Sequence, residues 1–186
     1  MPTVLKFFKP DEVLCQFTDP AGRRTLKDFI SVPDVYAAGR LDYRSEGLLL
    51  LTDDGALASR LTDPHWEHPK TYLVQVEGQA SPEAVAALQQ QIVLPGFQTR
   101  PAQAEIIAPP NLTPRPRPVR NYHPTTWLKL VLYEGKKHQV RRMTAAVGLP
   151  TLRLVRVAIG AVGLGALQPG EWQRLTPAEI RLLRQR

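Results

Sequence analysis

The chain has 186 residues, of which 43% are hydrophobic and 22% are charged, and this balance excludes a protein that is disordered throughout. No apolar run approaches the roughly 20 residues of a membrane helix. The first residues lack a signal-peptide pattern, so we expect neither membrane association nor export. The single cysteine, Cys15, excludes an internal disulfide and fits a reducing compartment, which makes the bacterial cytoplasm the expected location.

Strands and capped helices follow one another along the chain without regular alternation. The first third contains predicted strands at residues 4–8, 13–17 and 48–52 and helices at 25–30 and from a cap at 53 or 54 to 61. The remainder contains strands at 71–77, 102–108 and 127–133 and helices at 82–90, 140–147 and from Thr176 onward. The run at 48–52 is almost wholly apolar, which predicts a strand that is covered on both faces. Because the elements mix irregularly and no repeat is visible, we expect an α+β fold.

The chain carries an excess of positive charge. With 24 Lys and Arg against 17 Asp and Glu, its formal net charge is +7. Such an excess commonly attracts a polyanion, and nucleic acid is the leading expected partner. The alternative is an evenly charged surface that only keeps the protein in solution.

Residues 109–126 form a segment that we call the basic loop. It contains six prolines together with Arg115, Arg117 and Arg120, a composition that favours extended, solvated backbone. Two interpretations stay open. The loop is either a surface connector or a segment whose arginines contact RNA phosphates.

The segment at 39–47 combines two carboxylates, two arginines and two glycines just before the apolar strand. Loops at strand ends often hold active sites. Asp42 and Glu46 could form an acid/base pair of the kind that hydrolyses glycosides, and the alternative is a solvated charged turn.

The sequence gives little support for a metal or a nucleotide cofactor. His65 and His68 offer possible metal ligands, but Pro64 and Pro69 interrupt the helix that such a pair requires. Residues 53–55 begin like a calcium loop yet lack its spaced ligands, and no phosphate-binding glycine loop is present. We therefore expect no metal and no cofactor.

Four motifs in order resemble one known family. Residues 39–42 with 45–52 resemble the catalytic motif of the bacterial small-subunit and large-subunit rRNA pseudouridine synthases. Lys9-Pro10 and the segments 70–72 and 134–143 agree with the same family, and the similarity spans roughly residues 6–175. Arg44 departs from the pattern, because relatives usually have Asp or Asn there.

The resemblance is strongest to the large-subunit branch that lacks an S4-type RNA-binding domain. Most relatives carry that small domain ahead of the lysine-proline motif, whereas eight residues precede Lys9 in this sequence. We therefore expect residues 1–186 to form a single catalytic domain. The resemblance implies a mixed, largely antiparallel sheet that runs through two lobes, with the active-site cleft across the middle.

The resemblance also implies the roles of individual residues. Asp42 would be the catalytic carboxylate, Arg141 the cation that keeps it charged, and Tyr72 the ring that stacks on the target base. Leu152 would be the aliphatic floor under that base. The other residues expected to contact the substrate are Arg40, Lys70, Lys136, Lys137 and Arg142. Core packing is the alternative for the tyrosine and the leucine, and phosphate contact or a solvated helix face is the alternative for the arginines.

The implied reaction is the isomerisation of one uridine of 23S rRNA to pseudouridine by a cytoplasmic monomer without a cofactor. The target nucleotide must leave its stack to reach the carboxylate. Two other functions stay open at this point. One is a catalytically idle RNA-binding or ribosome-assembly factor on the same fold, and the other is a glycoside hydrolase that uses Asp42 and Glu46.

Overall fold

One mixed, largely antiparallel sheet runs through the protein, whose computed structural model describes residues 2–185. The strands are β1 (Val4–Lys9), β2 (Tyr36–Ala37), β3 (Glu46–Thr52), β4 (Lys70–Glu77), β5 (Val93–Leu94), β6 (Phe97–Gln98), β7 (Gln103–Ile107), β8 (Thr125–Leu132), β9 (Thr151–Ile159), β10 (Val162–Gly163) and β11 (Trp172–Arg174). Their order in the main sheet is β11-β1-β3-β9-β4-β8-β7, with β2 beside β3 and β10 beside β9. Strands β5 and β6 form a separate hairpin. The α+β fold is thus confirmed.

Four α-helices pack on this sheet within the described residues. They are α1 (Gly55–Thr62), α2 (Pro82–Gln89), α3 (Gln139–Ala146) and α4 (Pro177–Arg184), with short 3₁₀ turns at Leu26–Asp28 and Pro64–Trp66. The predicted caps are present, because the side chains of Asp54, Ser81 and Thr176 accept hydrogen bonds from the first turns of α1, α2 and α4. Helix α3 begins differently, after His138 in the left-handed conformation.

The sheet joins two lobes. The first lobe comprises β11, β1 and β3 with α1, α4 and residues 13–41, and the second comprises β4, β8 and β7 with α2 and α3. Strand β9 lies between them and pairs in parallel with β3 only at Glu46–Val155 and Gly47–Arg156. Because this junction is so short, a cleft opens between the lobes, as the resemblance implies.

Strand alternation defines two faces of the sheet. On the back face, Leu48 and Leu50 of β3 pack with Val155 of β9 and with helices α1 and α4. On the opposite face, which we call the cleft face, Leu49 and Leu51 pack against residues 13–41. Every residue of β3 is buried, which confirms the prediction of a strand covered on both sides.

One predicted strand is absent from the structure, and one strand of the structure was not predicted. Residues 13–17 form no strand, because Leu14 and Gln16 bond to the backbone at 24–26 while both edges of β1 are already occupied by β3 and β11. Strand β1 therefore lies between β3, the third strand of the chain, and β11, the last one of the described residues. Strand β9 was not predicted at all, although it is the central strand of the sheet.

The basic loop crosses the back face rather than extending into solvent. Its arginines pair with carboxylates of the same chain: Arg115 with Asp11 at 3.3 Å, Arg117 with Glu12 at 3.5 Å and Arg120 with Glu77 at 2.7 Å. The side chain of Arg115 is only 10% exposed. The Arg115 side chain is therefore held against the protein, whereas its neighbours Pro114 and Pro116 are exposed, as predicted for a solvated loop.

Candidate active site

A cavity of about 750 Å³ lies in the cleft between the lobes. Its walls come from the loop that precedes β3, from the start of β4, from the loop that precedes α3, and from the middle of β9. Of the residues that the resemblance singles out, the cavity is lined by Arg40, Asp42, Lys70, Tyr72, Lys136 and Lys137. The fold thus brings together six residues that are up to 97 positions apart in the sequence.

Asp42 lies on the loop between β2 and β3, and local hydrogen bonds fix that loop. The amide of Leu41 donates to Cys15 Sγ at 3.3 Å, and the thiol donates back to the Leu41 carbonyl at 3.2 Å. The amide of Ser45 donates to the Asp42 carbonyl at 3.0 Å and closes a turn. The Asp42 side chain is 34% exposed, so its carboxylate is accessible from the cavity.

Lys9 supports the same loop from beneath. It is fully buried, and its Nζ donates to the carbonyls of Pro10, Val13 and Tyr43 at 2.7, 2.8 and 3.3 Å. Burial lowers the pKa of Lys9 to about 8, although nearby groups that include Asp42 oppose the shift. The Lys9-Pro10 motif therefore has a structural explanation, because its ammonium group ties the end of β1 to the loop that carries Asp42.

Arg141 contacts the Asp42 loop, but not through the expected ion pair. Its Nη2 donates to the carbonyl of Arg44 at 2.9 Å and to Ser45 Oγ at 3.4 Å. Burial lowers the pKa of Arg141, and the charge of Asp42 opposes that shift. The side chain that contacts Asp42 is His138, whose Nε2 lies 3.3 Å from Oδ1. The expected direct pairing of Asp42 with Arg141 is absent from the described structure, and the catalytic roles of both stay predictions.

The floor of the cavity is made by β4 and β9. Tyr72 is 8% exposed and lies opposite Arg156 in the β4–β9 register, and Leu154 is the leucine of β9 that lines the cavity. Leu152 does not line it. Leu152 lies two positions before Leu154 in β9, next to a register shift near Gln75, and its carbonyl accepts a hydrogen bond from Arg115 of the basic loop. The assignment of Leu152 as the floor is corrected to Leu154.

Arg141 and Arg142 do not line the cavity either. The Arg142 guanidinium stacks on the ring of Phe97 at 4.5 Å from the centroid, and its Nη2 donates to the carbonyl of Pro95. Arg142 therefore binds the β5–β6 hairpin. Lys136 also lies over Phe97, at 5.5 Å, yet it reaches the cavity wall.

Glu46 lies on the opposite side of the sheet from the cavity. Its carboxylate accepts two hydrogen bonds from Arg153, at 2.9 and 2.8 Å, and its side chain is 2% exposed. A glycosidase needs two carboxylates that flank one bond. Since Glu46 is buried and paired on the back face, the glycoside hydrolase interpretation is excluded.

Arg44, which departs from the family pattern, finds its own partners in this chain. It pairs with Glu12, and its Nε lies 3.8 Å from Asp11. The arginine thus joins the charged residues that follow β1 to the loop of Asp42.

Sequence reasoning assigned no role to several residues that line the cavity, among them Cys15, His138 and Arg156. Arg156 was the one with a visible signal, because it is a charged residue inside an otherwise apolar run at 154–159. Within residues 2–185, no group of three or more His, Cys, Asp or Glu is arranged to hold a metal ion, and no helix is long and apolar enough to cross a membrane.

A carboxylate at the mouth of a cavity with an aromatic floor and basic walls is the arrangement of an enzyme that acts on a nucleotide. Residues 4–146 match the family described as RNA pseudouridylate synthase. The chain therefore belongs to the RNA pseudouridylate synthase family, whose members are isomerases.

Individual relatives agree with this assignment. Ribosomal large subunit pseudouridine synthase E of Xanthomonas axonopodis pv. citri is 58% identical over 166 residues, which cover 87% of each protein. The protein of the same name from Vibrio vulnificus is 51% identical over 93% of this chain and 75% of its own length. A crystal structure of a pseudouridylate synthase superimposes with a TM-score of 0.84 at 33% identity, over 98% of this chain and 74% of that one.

Proposed function

We propose that the protein converts one specific uridine of 23S rRNA to pseudouridine, with Asp42 as the catalytic carboxylate. The observation that carries the proposal is the position of Asp42 at a cavity whose floor is Tyr72 and Leu154 and whose walls include Lys136 and Lys137. The similar proteins from Xanthomonas and Vibrio are named as synthases of the large ribosomal subunit, which supports rRNA of that subunit as the substrate.

The reaction explains why one accessible carboxylate is enough. The bond between C1′ and N1 breaks, the uracil turns within the site, C5 bonds to C1′, the C5 proton leaves, and N1 gains a proton. Asp42 can act as a nucleophile at C1′ or C6, or as the base that removes a sugar proton. Each route uses the charged carboxylate and none needs a redox step.

The cavity fits a nucleotide that has left its stack. Its volume of about 750 Å³ lies in the range of small-molecule sites. The ring of Tyr72 can stack on the base, and Leu154 can support the base from below. Arg40, Lys136 and Lys137 then lie where the RNA backbone would pass, so we assign them to phosphate contacts. Lys70 lies deeper, beside Tyr72 on β4.

We further propose that residues 1–186 act as one catalytic domain and as a monomer in the cytoplasm, where ribosomes are assembled. Both lobes contribute to the cavity, which supports a single catalytic unit. Sedimentation of the protein with and without rRNA fragments tests the monomer.

Mapping of pseudouridines in rRNA tests the main proposal. Cells that lack the gene should lose one pseudouridine of 23S rRNA, and a plasmid with the wild-type gene should restore it. A plasmid with Asp42→Asn should not. Unchanged rRNA maps would refute the rRNA substrate, and restoration by Asp42→Asn would instead favour the catalytically idle RNA-binding factor.

A further inference from the structure

The floor of the cavity contains a buried arginine without a counterion. Arg156 is 3% exposed, and its Nε donates to the carbonyl of Leu48 at 2.8 Å. A guanidinium has five N–H donors, and Nη2 of Arg156 is shielded from solvent without any hydrogen-bond partner in residues 2–185. No carboxylate of the described chain lies within ion-pair distance of it. Arg156 nevertheless lines the cavity.

A second cation lies close to the first. Lys70 lines the same cavity, and its Nζ makes one hydrogen bond, to the carbonyl of His68 at 3.3 Å. Burial lowers the pKa of Lys70 to about 8, and the charge of Arg156 adds to this lowering. Two like charges therefore share a buried floor, and neither has a carboxylate partner among residues 2–185.

The backbone holds Arg156 in this position. Strand β3 approaches β9 at Gly47, where a Cβ atom would lie 2.2 Å from the Arg156 carbonyl oxygen. Only glycine permits this approach, and its φ of +107° is also one that other residues rarely adopt. Because a buried unpaired charge costs stability, a fixed one in a cavity wall is typical of a site that binds an electronegative group.

We propose that Arg156, assisted by Lys70, binds a carbonyl oxygen of the target uracil and stabilises the negative charge that develops on it. The inference rests on the proposed function. Arg156 lies opposite Tyr72 and two residues from Leu154, at the level where the base would stack. The phosphates would lie nearer the wall formed by Lys136 and Lys137, so the ring is the part of the nucleotide within reach of Arg156.

The chemistry requires such a group. When the bond between C1′ and N1 breaks, its electron pair stays on N1 and delocalises onto O2 and O4 of the ring. If Asp42 instead adds to C6, the electron pair of the C5–C6 double bond moves toward O4. Bond formation between C5 and C1′ neutralises this charge, and the C5 proton then leaves to solvent while N1 gains a proton from solvent. Donors fixed at a ring carbonyl therefore act in the transition state of every route.

The test uses a synthetic RNA hairpin that contains the uridine mapped in cells. Three further versions carry 2-thiouracil, 4-thiouracil or a phosphorothioate at the target nucleotide, because sulfur accepts hydrogen bonds more weakly than oxygen. Conversion is followed under single-turnover conditions by digestion to nucleosides and chromatography with mass detection. Arg156→Gln keeps a donor for the Leu48 carbonyl, Arg156→Lys keeps the charge, and Arg174→Gln is the control, because Arg174 is an exposed arginine of strand β11.

We expect Arg156→Gln to slow conversion of the oxygen substrate about 10²- to 10³-fold, with little change in RNA affinity. Conversion of one of the thiouracil substrates should be slower than that of the oxygen substrate by the same factor in the wild type and in Arg174→Gln, and by a far smaller factor in Arg156→Gln. Arg156→Lys, whose folding is checked by thermal unfolding, should fall between the wild type and Arg156→Gln.

Two results would overturn the inference. One is an equal thiouracil effect in the wild type and in both Arg156 variants. The other is a loss of the phosphorothioate effect in Arg156→Gln, which would assign the arginine to a phosphate. Failure of the wild type to convert the unsubstituted hairpin is a different outcome, since it would refute the proposed function itself.

Discussion

On the back face of the sheet, Arg153 meets Glu46 through two hydrogen bonds of 2.9 and 2.8 Å, and both side chains are buried. On the cleft face, Arg156 of the same strand is equally buried and bonds only to a backbone carbonyl. The back-face pair joins β3 to β9 and leaves no donor for a ligand at that contact. The unpaired arginine stabilises the fold less, but its donors are available to a substrate. The buried charge of Arg153 therefore stabilises the fold, whereas we assign the buried charge of Arg156 to the reaction.

The largest expected effect is on the cleft face, at Asp42. Asp42→Asn keeps the shape of the side chain and removes its charge, so turnover should fall by roughly 10⁴-fold or more while RNA binding survives. Release of tritium from uridine labelled at C5 measures turnover, and filter binding measures affinity. Asp34→Asn is the matched control, because Asp34 is exposed and has a positive φ that asparagine tolerates. Appreciable tritium release by Asp42→Asn would defeat the catalytic assignment.

The next largest effect is the loss of unfolding free energy caused by a substitution on the back face. Glu46→Gln leaves Arg153 without its charged partner, which should cost about 3 to 5 kcal/mol. Arg156→Gln removes a charge that had no partner, so its cost should stay near about 1 kcal/mol. Urea unfolding of the two variants measures the difference. Equal losses of unfolding free energy in Glu46→Gln and Arg156→Gln would contradict the view that only the back-face pair stabilises the fold.

The same experiment can test the pairing of Glu46 with Arg153 directly. The double variant Glu46→Gln/Arg153→Met no longer leaves a buried ion without a partner, so it should lose less stability than the sum of the single variants. Strictly additive losses would mean that the two residues are not coupled.

A smaller effect should appear in the pH dependence of stability. The pKa of Lys70 is lowered from 10.5 to about 8 in the folded protein, so between these values the unfolded chain binds more protons at this residue. Stability contributed by Lys70 should therefore rise with pH from about 8 to 10.5 and should be lowest below pH 8. Urea unfolding of Lys70→Met across this range should give a flatter profile than the wild type. An identical profile would contradict the lowered pKa.

The smallest effect is on RNA affinity. The arginines of the basic loop are paired with carboxylates on the back face, whereas Lys136 and Lys137 line the cleft. Lys137→Ala should reduce the slope of log affinity against log salt by about one unit, and Arg117→Ala should leave the slope unchanged. A reduced slope for Arg117→Ala would restore the interpretation that the basic loop contacts RNA.

Sequence patterns correctly predicted the helices and strands that are determined by neighbouring residues. The caps at Asp54, Ser81 and Thr176 and the alternation of Tyr72, Val74 and Val76 depend on residues within one turn or one strand. These elements were found where the sequence predicted them. Asp42 was identified by its motif, and its position in the cavity agrees with that prediction.

Features that depend on distant partners could not be predicted in the same way. Strand β9 contains two buried arginines, and their partners at Glu46 and Leu48 lie more than 100 residues away in sequence, so the strand does not show a simple apolar pattern. The choice between Leu152 and Leu154 depends on a register shift against β4. From its motif, Arg142 was expected to contact the substrate, because the sequence does not show that Phe97 of the β5–β6 hairpin packs against it.

The position of β1 between β3 and β11 has a consequence for synthesis on the ribosome. The second lobe is built mostly from residues 70–149, which are continuous in sequence, so it can fold soon after they emerge. The first lobe must wait for Trp172–Arg174 and α4, and until then one edge of β1 lacks its partner. We therefore expect the lobe that carries Asp42 to be completed last, so that a nascent chain acquires the wall with Lys136 and Lys137 before Asp42 is held in place.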